Sequence, residues 1–309
     1  MKKTINTTHI EGLLYNHTLE VKTTGAQSKN PGTQYIAGNV EIATDNDITN
    51  IVTVHFSFVT PTTKKGTANA TYAILNDIIS GRHSTVISGG ADTAAKLRID
   101  SSIDLNEFYT DKDGKEELVS AKRNESGFIH VVSGDLNADE NARSTFEADI
   151  IIKGTRSIEA DPERNLPEKL IVQGVIFNYA QAILPVEFSV VNPNAIKYFE
   201  GLGASNKTPV FTKVKGRQIS ETIKRTITEE SAFGEASVRE VSSTRKDYVI
   251  TWAQQKPYDF DDESSILASE LVQKLAERDV YLAAMKKRSD EYKASKAQSS
   301  TPAPGGFNF

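Results

Sequence analysis

The chain has no cysteine among its 309 residues, and this absence excludes several kinds of site. Disulfides, cysteine-ligated zinc or iron–sulfur centres and thiol catalysis all require that side chain. No stretch reaches the roughly 18–20 consecutive apolar residues that a membrane helix needs. The two lysines after Met1 are not followed by an apolar segment, so we expect no signal peptide. The prediction is a cytoplasmic protein with no membrane partner.

The short motifs that carry catalysis or nucleotide binding are also missing. There is no G-x-S-x-G, no Walker A pattern and no Rossmann glycine pattern. The five histidines lack metal-ligand spacing, and the stretch 111–114 (D-K-D-G) has only the start of a calcium-binding loop. We therefore expect no enzyme, no catalytic residue, no metal site and no cofactor.

The composition that remains is that of a folded protein. Hydrophobic residues make up 38% of the chain and charged residues 25%, enough apolar surface for a core. The length suggests two domains, or one domain with additions. The formal net charge is −5, which does not indicate nucleic-acid binding. An acidic total can still contain a basic groove, because affinity depends on the local potential.

One strand pattern occurs twice. Residues 54–61 and 186–193 share V-x-F-S-x-V-x-P, 132 positions apart. Alternation along a strand predicts Val54, Phe56 and Phe58 on one face, with Val186 and its alternating neighbours repeating that face. This favours the motif as a core strand of each of two copies.

Further matches keep the same order along the chain. Residues 36–40 resemble 171–175, and residues 117–123 resemble 240–246. A duplicated unit explains this order, although β-rich sequences can also match by chance. Patterns of β-branched and aromatic residues, broken by turn residues, predict strands at 10–24, 33–44, 50–60, 95–109, 116–132, 146–158, 168–179, 182–191, 208–230 and 237–252.

The predicted fold class is mainly β (α+β), with a short helix in each copy and a long C-terminal helix. The short helices are expected at 69–79 and 194–202, where Gly81 and Gly203 follow. The long helix is expected from 264 to 296, with Leu267, Leu271 and Leu275 as its apolar stripe. The predicted divisions are 1–133 for the first β unit, 134–256 for the second, 257–296 for an acidic linker and helix, and 297–309 for a disordered tail.

Basic residues alternate with aromatic residues on the later strands. Residues 201–250 hold nine bases and six acids, a local net charge of +3 in an acidic protein. A groove lined this way would neutralise phosphates and stack bases. Solvated strand faces with aromatics in the core fit the same pattern, and both interpretations stay open. The phosphate-binding candidates are Lys122, Arg123, Lys213, Lys215, Arg217, Arg245 and Lys246, and the stacking candidates are Tyr15, Phe56, Phe128, Tyr248 and Trp252.

These features resemble a known family. Two small β units, each with a short helix interrupting its strands, resemble tandem OB-folds. The whole chain is similar to bacteriophage-type single-stranded DNA-binding proteins, in residues 12–59 and in the tail that ends with Phe307 and Phe309. The tail departs from the family pattern because residues 302–309 contain no acidic side chain.

The resemblance implies sequence-independent binding of single-stranded DNA during DNA replication or recombination, in the host cytoplasm if a phage encodes the chain. It further implies that Phe307 and Phe309 bind replication or recombination proteins. A homo-oligomer is compatible with this interpretation. The alternative is a virion structural or assembly protein, such as a tube, neck or scaffold subunit, because tandem β-barrels and a docking helix suit that function as well.

Overall fold

Strands dominate the structure. The computed structural model describes residues 4–113, 115–161, 167–229, 237–260 and 266–299. Within these ranges the strands form two barrels that share one continuous sheet. None of the helices in these ranges is long and apolar enough to span a membrane. The mainly β class predicted from the sequence is confirmed.

The first barrel is a closed ring of five strands. Its strands pair in the order β1-β3-β4-β6-β5 and back to β1, and only the β4–β6 pairing is parallel. That order is the Greek-key arrangement of an OB-fold. The elements are β1 (Asn6–His17), β2 (Glu20–Thr23), β3 (Gln34–Ala43), β4 (Ile51–Val59), α1 (Ala70–Ile79), α2 (Val86–Gly89), β5 (Lys96–Lys112) and β6 (Lys115–Val131).

The second barrel repeats that order. Its strands pair as β7-β8-β9-β11-β10 and back to β7, again with one parallel pairing, between β9 and β11. The repeated motif therefore forms the third strand of each ring, β4 and β9. The elements are β7 (Ser144–Ile158), β8 (Lys169–Phe177), β9 (Ile183–Val190), α3 (Pro193–Gly201), β10 (Val210–Glu229), β11 (Ser237–Ala253) and α4 (Ala268–Ser299).

The two short helices begin at asparagine caps. The Asn69 side chain accepts the N–H of Thr71, and the Asn192 side chain accepts the N–H of Asn194. Such caps satisfy N–H groups that have no partner inside the helix. Pro193 stands at the first turn of α3, where its missing N–H costs nothing.

Strand β1 joins the barrels. It pairs with β5 of the first barrel and with β7 of the second, so the sheet runs through both. The division at 133/134 stays a prediction. Each barrel has its own apolar interior. The first is built around Ile10, Val40, Val54, Phe56, Leu97 and Ile129, and the second around Phe146, Ile150, Val172, Phe188, Val214 and Ile250.

A β-bulge corrects the predicted face of the repeated strand. Phe56 pairs with Gly38 while Val59 pairs with Ile36, so β4 holds one residue more than β3 over this stretch. Val54 and Phe56 are buried as predicted. Phe58 does not share their face: it is 52% exposed, and Val59 turns inward instead.

Helix α4 packs on the second barrel of its own chain. Ile266 and Leu271 are buried against Ile151, Val175 and Ile183, on the outer side of β7, β8 and β9. Leu275 packs at the edge of this cluster, whereas Leu267 of the predicted stripe is exposed. Further along, Lys286 and Lys293 of the helix pair with Glu116 of β6, and Lys293 also pairs with Asp111 of β5.

Candidate nucleic-acid interface

A stacked pair of aromatic rings lies on the outside of the first barrel. Tyr35 of β3 and Phe58 of β4 have ring centroids 4.4 Å apart, with their planes tilted by 35°. Lys22 of β2 is the cross-strand partner of Tyr35. Together with Asn39 and His55, these side chains form what we call the open face.

The open face contains a histidine, His55, whose pKa is lowered by partial burial. His55 Nδ1 lies 2.8 Å from Asn39 Oδ1. Burial lowers the pKa of His55, and the charges of Arg123 and Lys22 lower it further, against the opposite effect of Glu125. A negatively charged ligand on this face would reverse that balance and favour protonation.

The open face continues into a groove between the barrels. This inter-unit groove has a volume of about 800 Å³ and shares Asn39 and His55 with the open face. At its floor, Asn124 Nδ2 donates to Gln218 Oε1 at 2.8 Å, which links β6 to β10. The groove brings the adjacent residues Lys122 and Arg123 together with Lys246, which is far from them in sequence, and all three are predicted phosphate ligands.

The half-buried side chain of Lys122 contacts the second barrel. Its Nζ lies 5.0 Å from the ring centre of Tyr248 and 5.5 Å from that of Phe188, and it donates to the carbonyl of Glu187. Burial lowers the pKa of Lys122, although Asp247 and Glu187 counteract this. The side chain therefore joins the barrels at the groove wall.

Arg123 and Lys246 differ in how far they are already engaged. Arg123 Nε lies 2.9 Å from Glu125 Oε2 and its side chain is partly buried. Lys246 is exposed at the groove margin. A phosphate would meet at Lys246 a cation that has no ion-pair partner among the described residues, and it would compete with Glu125 at Arg123.

Three other predicted cations lie together on β10. Lys213 and Lys215 both pair with Glu147 of β7, at 3.3 and 3.1 Å, and Arg217 donates to the side chain of Asn141. Burial would raise the pKa of Glu147, but the two lysines hold it below its usual value. We call Lys213, Lys215, Arg217 and the nearby Trp252 the β10 patch.

Trp252 is the one predicted stacking residue that lies beside these cations. Its ring is 47% exposed, and Lys215 Nζ lies 5.5 Å from its centre. Phe56 and Tyr248 are buried in the two barrels, where neither ring offers a face to a ligand. Tyr15 is half-buried, and Phe128 is exposed in a different groove, described below.

Tyr35 and His55 were not predicted from the sequence to bind nucleic acid, and Phe58 was predicted as a core residue. The signal that points to them is positional, because they lie on the second and third strands of an OB order, where such folds bind oligonucleotides. The side chain of Arg245 and the residues Phe307 and Phe309 lie outside the described part of the chain. Among described residues, no group of three or more metal-ligating side chains is placed to hold an ion.

The strand order of the two barrels defines a mainly β protein with tandem OB-type barrels. The family model YorF matches residues 4–295, so the chain belongs to the YorF family. Comparison with curated protein sequences gives no match.

Two solved structures from Thermus aquaticus are similar in part. One is a deletion mutant of the single-stranded DNA-binding protein, with 11% identity and a TM-score of 0.45, covering 85% of this chain and 100% of that one. The other is the wild-type single-stranded DNA-binding protein, with 8% identity and a TM-score of 0.44, covering 85% and 98%. Likeness at this level carries no argument about this chain.

Proposed function

We propose that the chain binds single-stranded DNA without sequence preference, along the open face and the inter-unit groove. The observation that carries this proposal is the Tyr35–Phe58 ring pair on the outside of β3 and β4, in which Phe58 is exposed and Tyr35 is half-buried. These are the second and third strands of the first barrel, the surface on which OB-folds bind oligonucleotides. Every base has a π-face, so stacking on such rings does not select a sequence.

Cations flank the ring pair on several sides. Lys22 stands opposite Tyr35, while Arg123 and Lys246 lie in the adjoining groove. The segments 24–33 and 60–67, next to β3 and β4, contain lysines and no acidic residue. Phosphates of a strand lying across the face would therefore find positive charge on both sides of the stacked bases.

The β10 patch supplies a second contact in this proposal. Lys213, Lys215 and Arg217 follow one another on the outer side of β10, with Trp252 beside them. A DNA phosphate would have to displace Glu147 from Lys213 and Lys215, so we expect weaker binding here than on the open face.

The wider setting stays a prediction of the family resemblance. This applies to a role in phage DNA replication or recombination, to the host cytoplasm as location, and to binding of replication or recombination proteins through Phe307 and Phe309. It applies equally to self-association and to the expected lack of enzyme activity. We do not propose the virion assembly alternative, because α4, which suggested a docking helix, packs on its own barrel along the described residues.

Titration of the full chain with labelled oligo-dT tests the proposal. We expect binding at low salt that weakens steeply as salt rises, with a log–log slope of about −0.7 per phosphate neutralised. Tyr35→Ala should weaken binding about tenfold, because one stacked base is worth about 1–3 kcal/mol. Phe108→Ala, an exposed ring on β5, is the matched control and should leave affinity unchanged.

Two outcomes would overturn the proposal. One is an absence of oligo-dT binding at low salt, and the other is an equal loss of affinity in the Tyr35 and Phe108 variants. Lys246→Gln adds a test of the groove: the salt slope should become shallower by about 0.7, since one phosphate contact is lost. Lys207→Gln, in an exposed loop, should keep the slope of the parent chain.

A further inference from the structure

A second groove near the barrel junction has a different chemistry. It encloses about 1070 Å³ between the start of β1, strands β5 and β6, and the turn between β8 and β9. We call it the acceptor groove. The lining residues that carry its chemistry are Thr4, Asp104, Glu125, Phe128, Tyr179 and Gln181.

Negative charge and oxygen acceptors dominate its walls. Asp100, Asp104 and Glu125 line the groove, and no lysine or arginine does so in the part of the chain that the structure describes. Asp100 is paired with His9 at 2.8 Å and Glu125 with Arg123 at 2.9 Å. A phosphate would be repelled here, which separates this groove from the proposed DNA site.

Two buried oxygen atoms in the groove have no hydrogen-bond partner among the described residues. They are the hydroxyl of Thr4, whose residue is only 8% exposed, and the side-chain carbonyl of Gln181; a third such atom, Glu125 Oε2, lies beside the charge of Arg123. Buried polar atoms without partners cost free energy, so they indicate a ligand that supplies donors. Burial also raises the pKa of Asp104, against the opposite effects of the Leu105 N–H and the Arg123 charge, so a further cation close to this carboxyl would favour its charged form.

Exposed aromatic rings complete the groove. Phe128 at the end of β6 is 73% exposed, and Tyr179 in the β8–β9 turn is 86% exposed. Large apolar rings at such exposure are typical of interaction surfaces. A cation placed over either ring would be attracted by its π-electrons.

We propose that the acceptor groove binds an arginine side chain presented by a partner protein. The guanidinium has five N–H donors and no acceptor, and it stacks on aromatic rings. It can therefore donate hydrogen bonds to the Asp104 carboxylate, the Thr4 hydroxyl and the Gln181 side-chain carbonyl. Its plane can at the same time lie against the ring of Phe128 or Tyr179. The ammonium of lysine has three donors and no planar surface, so it fits these walls less completely. This proposal does not depend on DNA binding.

Fluorescence anisotropy with labelled peptides tests the proposal on the full chain. The probe is a glycine–serine peptide carrying spaced arginines, and the reference probe replaces each arginine by uncharged citrulline. We expect the arginine peptide to bind at least about tenfold more tightly, because it alone can form charge-assisted hydrogen bonds. Asp104→Asn should remove most of that difference, since asparagine keeps the shape and the acceptor but loses the charge.

An acidic protein attracts basic peptides without a specific site, so the control must carry the same charge change. Asp92→Asn, in an exposed loop, provides it and should keep the affinity of the parent chain. Tyr179→Ala removes an exposed ring and should lower the affinity for the arginine peptide several-fold. This variant tests the proposal even if Asp104→Asn fails to fold. Oligo-dT affinity should stay unchanged in all three variants.

Several results would overturn the proposal. Equal affinity for the arginine and citrulline peptides would do so, as would equal losses in the Asp92 and Asp104 variants. Displacement of the peptide by oligo-dT would assign the groove to nucleic acid. Self-association of the chain that Asp104→Asn abolishes would assign it to a second copy.

Discussion

The two barrels have the same strand order, but the side chains on their outer faces differ. On the first barrel, the outer side of β3 and β4 carries aromatic and polar side chains: Phe58 is exposed, and Tyr35 and His55 are half-buried beside it. On the second barrel, the corresponding side of β8 and β9 carries the hydrogen-bonded pair Gln173–Glu187, and its apolar end at Val175 and Ile183 is covered by α4. One duplicated architecture thus has a face suited to a ligand and a face suited to a helix.

A single irregularity contributes much of this difference. Phe58 and Val190 occupy the same place in the repeated motif. The bulge in β4 turns Phe58 outward, whereas β9 pairs regularly with β8 and Val190 is fully buried. A change of one residue in register moves a side chain to the other face of a strand. The contrast between the barrels therefore depends on backbone pairing as well as on residue type.

The contact between α4 and the rest of the chain contains a buried ion pair, and breaking it should have the largest effect. Arg278 pairs with Glu107 of β5, and their side chains are only 10% and 3% exposed. Arg278→Ala leaves the Glu107 carboxylate buried without its partner, which should cost about 3–5 kcal/mol. Urea unfolding measures this loss. Arg288→Ala, on the exposed side of α4, should leave the unfolding midpoint unchanged, and equal shifts would contradict the prediction.

The apolar part of the same contact should come next. Leu271→Ala removes a buried side chain from the cluster under α4 and should cost about 2–3 kcal/mol. Val272→Ala changes the neighbouring exposed residue and should be nearly neutral in urea unfolding. Oligo-dT affinity should stay the same in both variants. An increase in affinity with Leu271→Ala would contradict the difference between the two barrels, because α4 would then be covering a second DNA-binding face.

Phe58→Val tests the same comparison on the first barrel. It replaces Phe58 with the residue type of Val190, its counterpart in the second barrel. Loss of one stacking ring should weaken oligo-dT binding about tenfold, or roughly 1.4 kcal/mol. Fluorescence titration measures the affinity. The urea midpoint should change little because Phe58 is half-exposed. Unchanged affinity would show that the ring pair does not contact the ligand.

The smallest expected effect is a pH dependence from His55. In the free protein its pKa lies below the usual value, so it is neutral near pH 7. A bound phosphate would raise that pKa, and affinity should therefore rise as the pH falls from about 8 to about 6. We expect the affinity to change a few-fold over this pH range, and His55→Gln should remove most of that change. His83→Gln, in a loop after α1, serves as the control and should retain it.

Without a bound phosphate, the same pKa shift has a consequence for stability. The pKa of His55 is lower in the folded chain than in the unfolded chain. The stabilising contribution is therefore complete above the unfolded pKa and is lost as the pH falls through the folded value. Acid unfolding of His55→Gln should lack this contribution, which gives a second measurement of the same group.

Much of the fold could be predicted because the relevant signals are local. Alternating apolar residues fix strands such as β8 and β9, and asparagine caps with following proline or glycine fix α1 and α3. The duplicated V-x-F-S-x-V-x-P strand indicated two equivalent units. The bulge at Phe58 was missed, because alternation assumes regular pairing. The extra residue of β4 becomes visible only when β4 is paired with β3.

The candidate site was less accessible from the sequence. Charge counting found Lys122, Arg123, Lys246 and the β10 patch, but it could not distinguish an exposed cation from one that joins two barrels. Lys122 lies against Phe188 and Tyr248, which are 66 and 126 positions later in the chain. Such contacts depend on how the two barrels pack against each other, and a local sequence pattern does not predict that packing.

The sequence by itself determined the class of the fold, the repeat and the composition that excludes cysteine chemistry. These follow from properties that each segment has before it meets another. The tertiary structure decided which aromatic rings are exposed, which cations are paired and which face α4 covers. Those outcomes depend on register and on contacts between distant segments, and so the open face and the acceptor groove exist only in the folded chain.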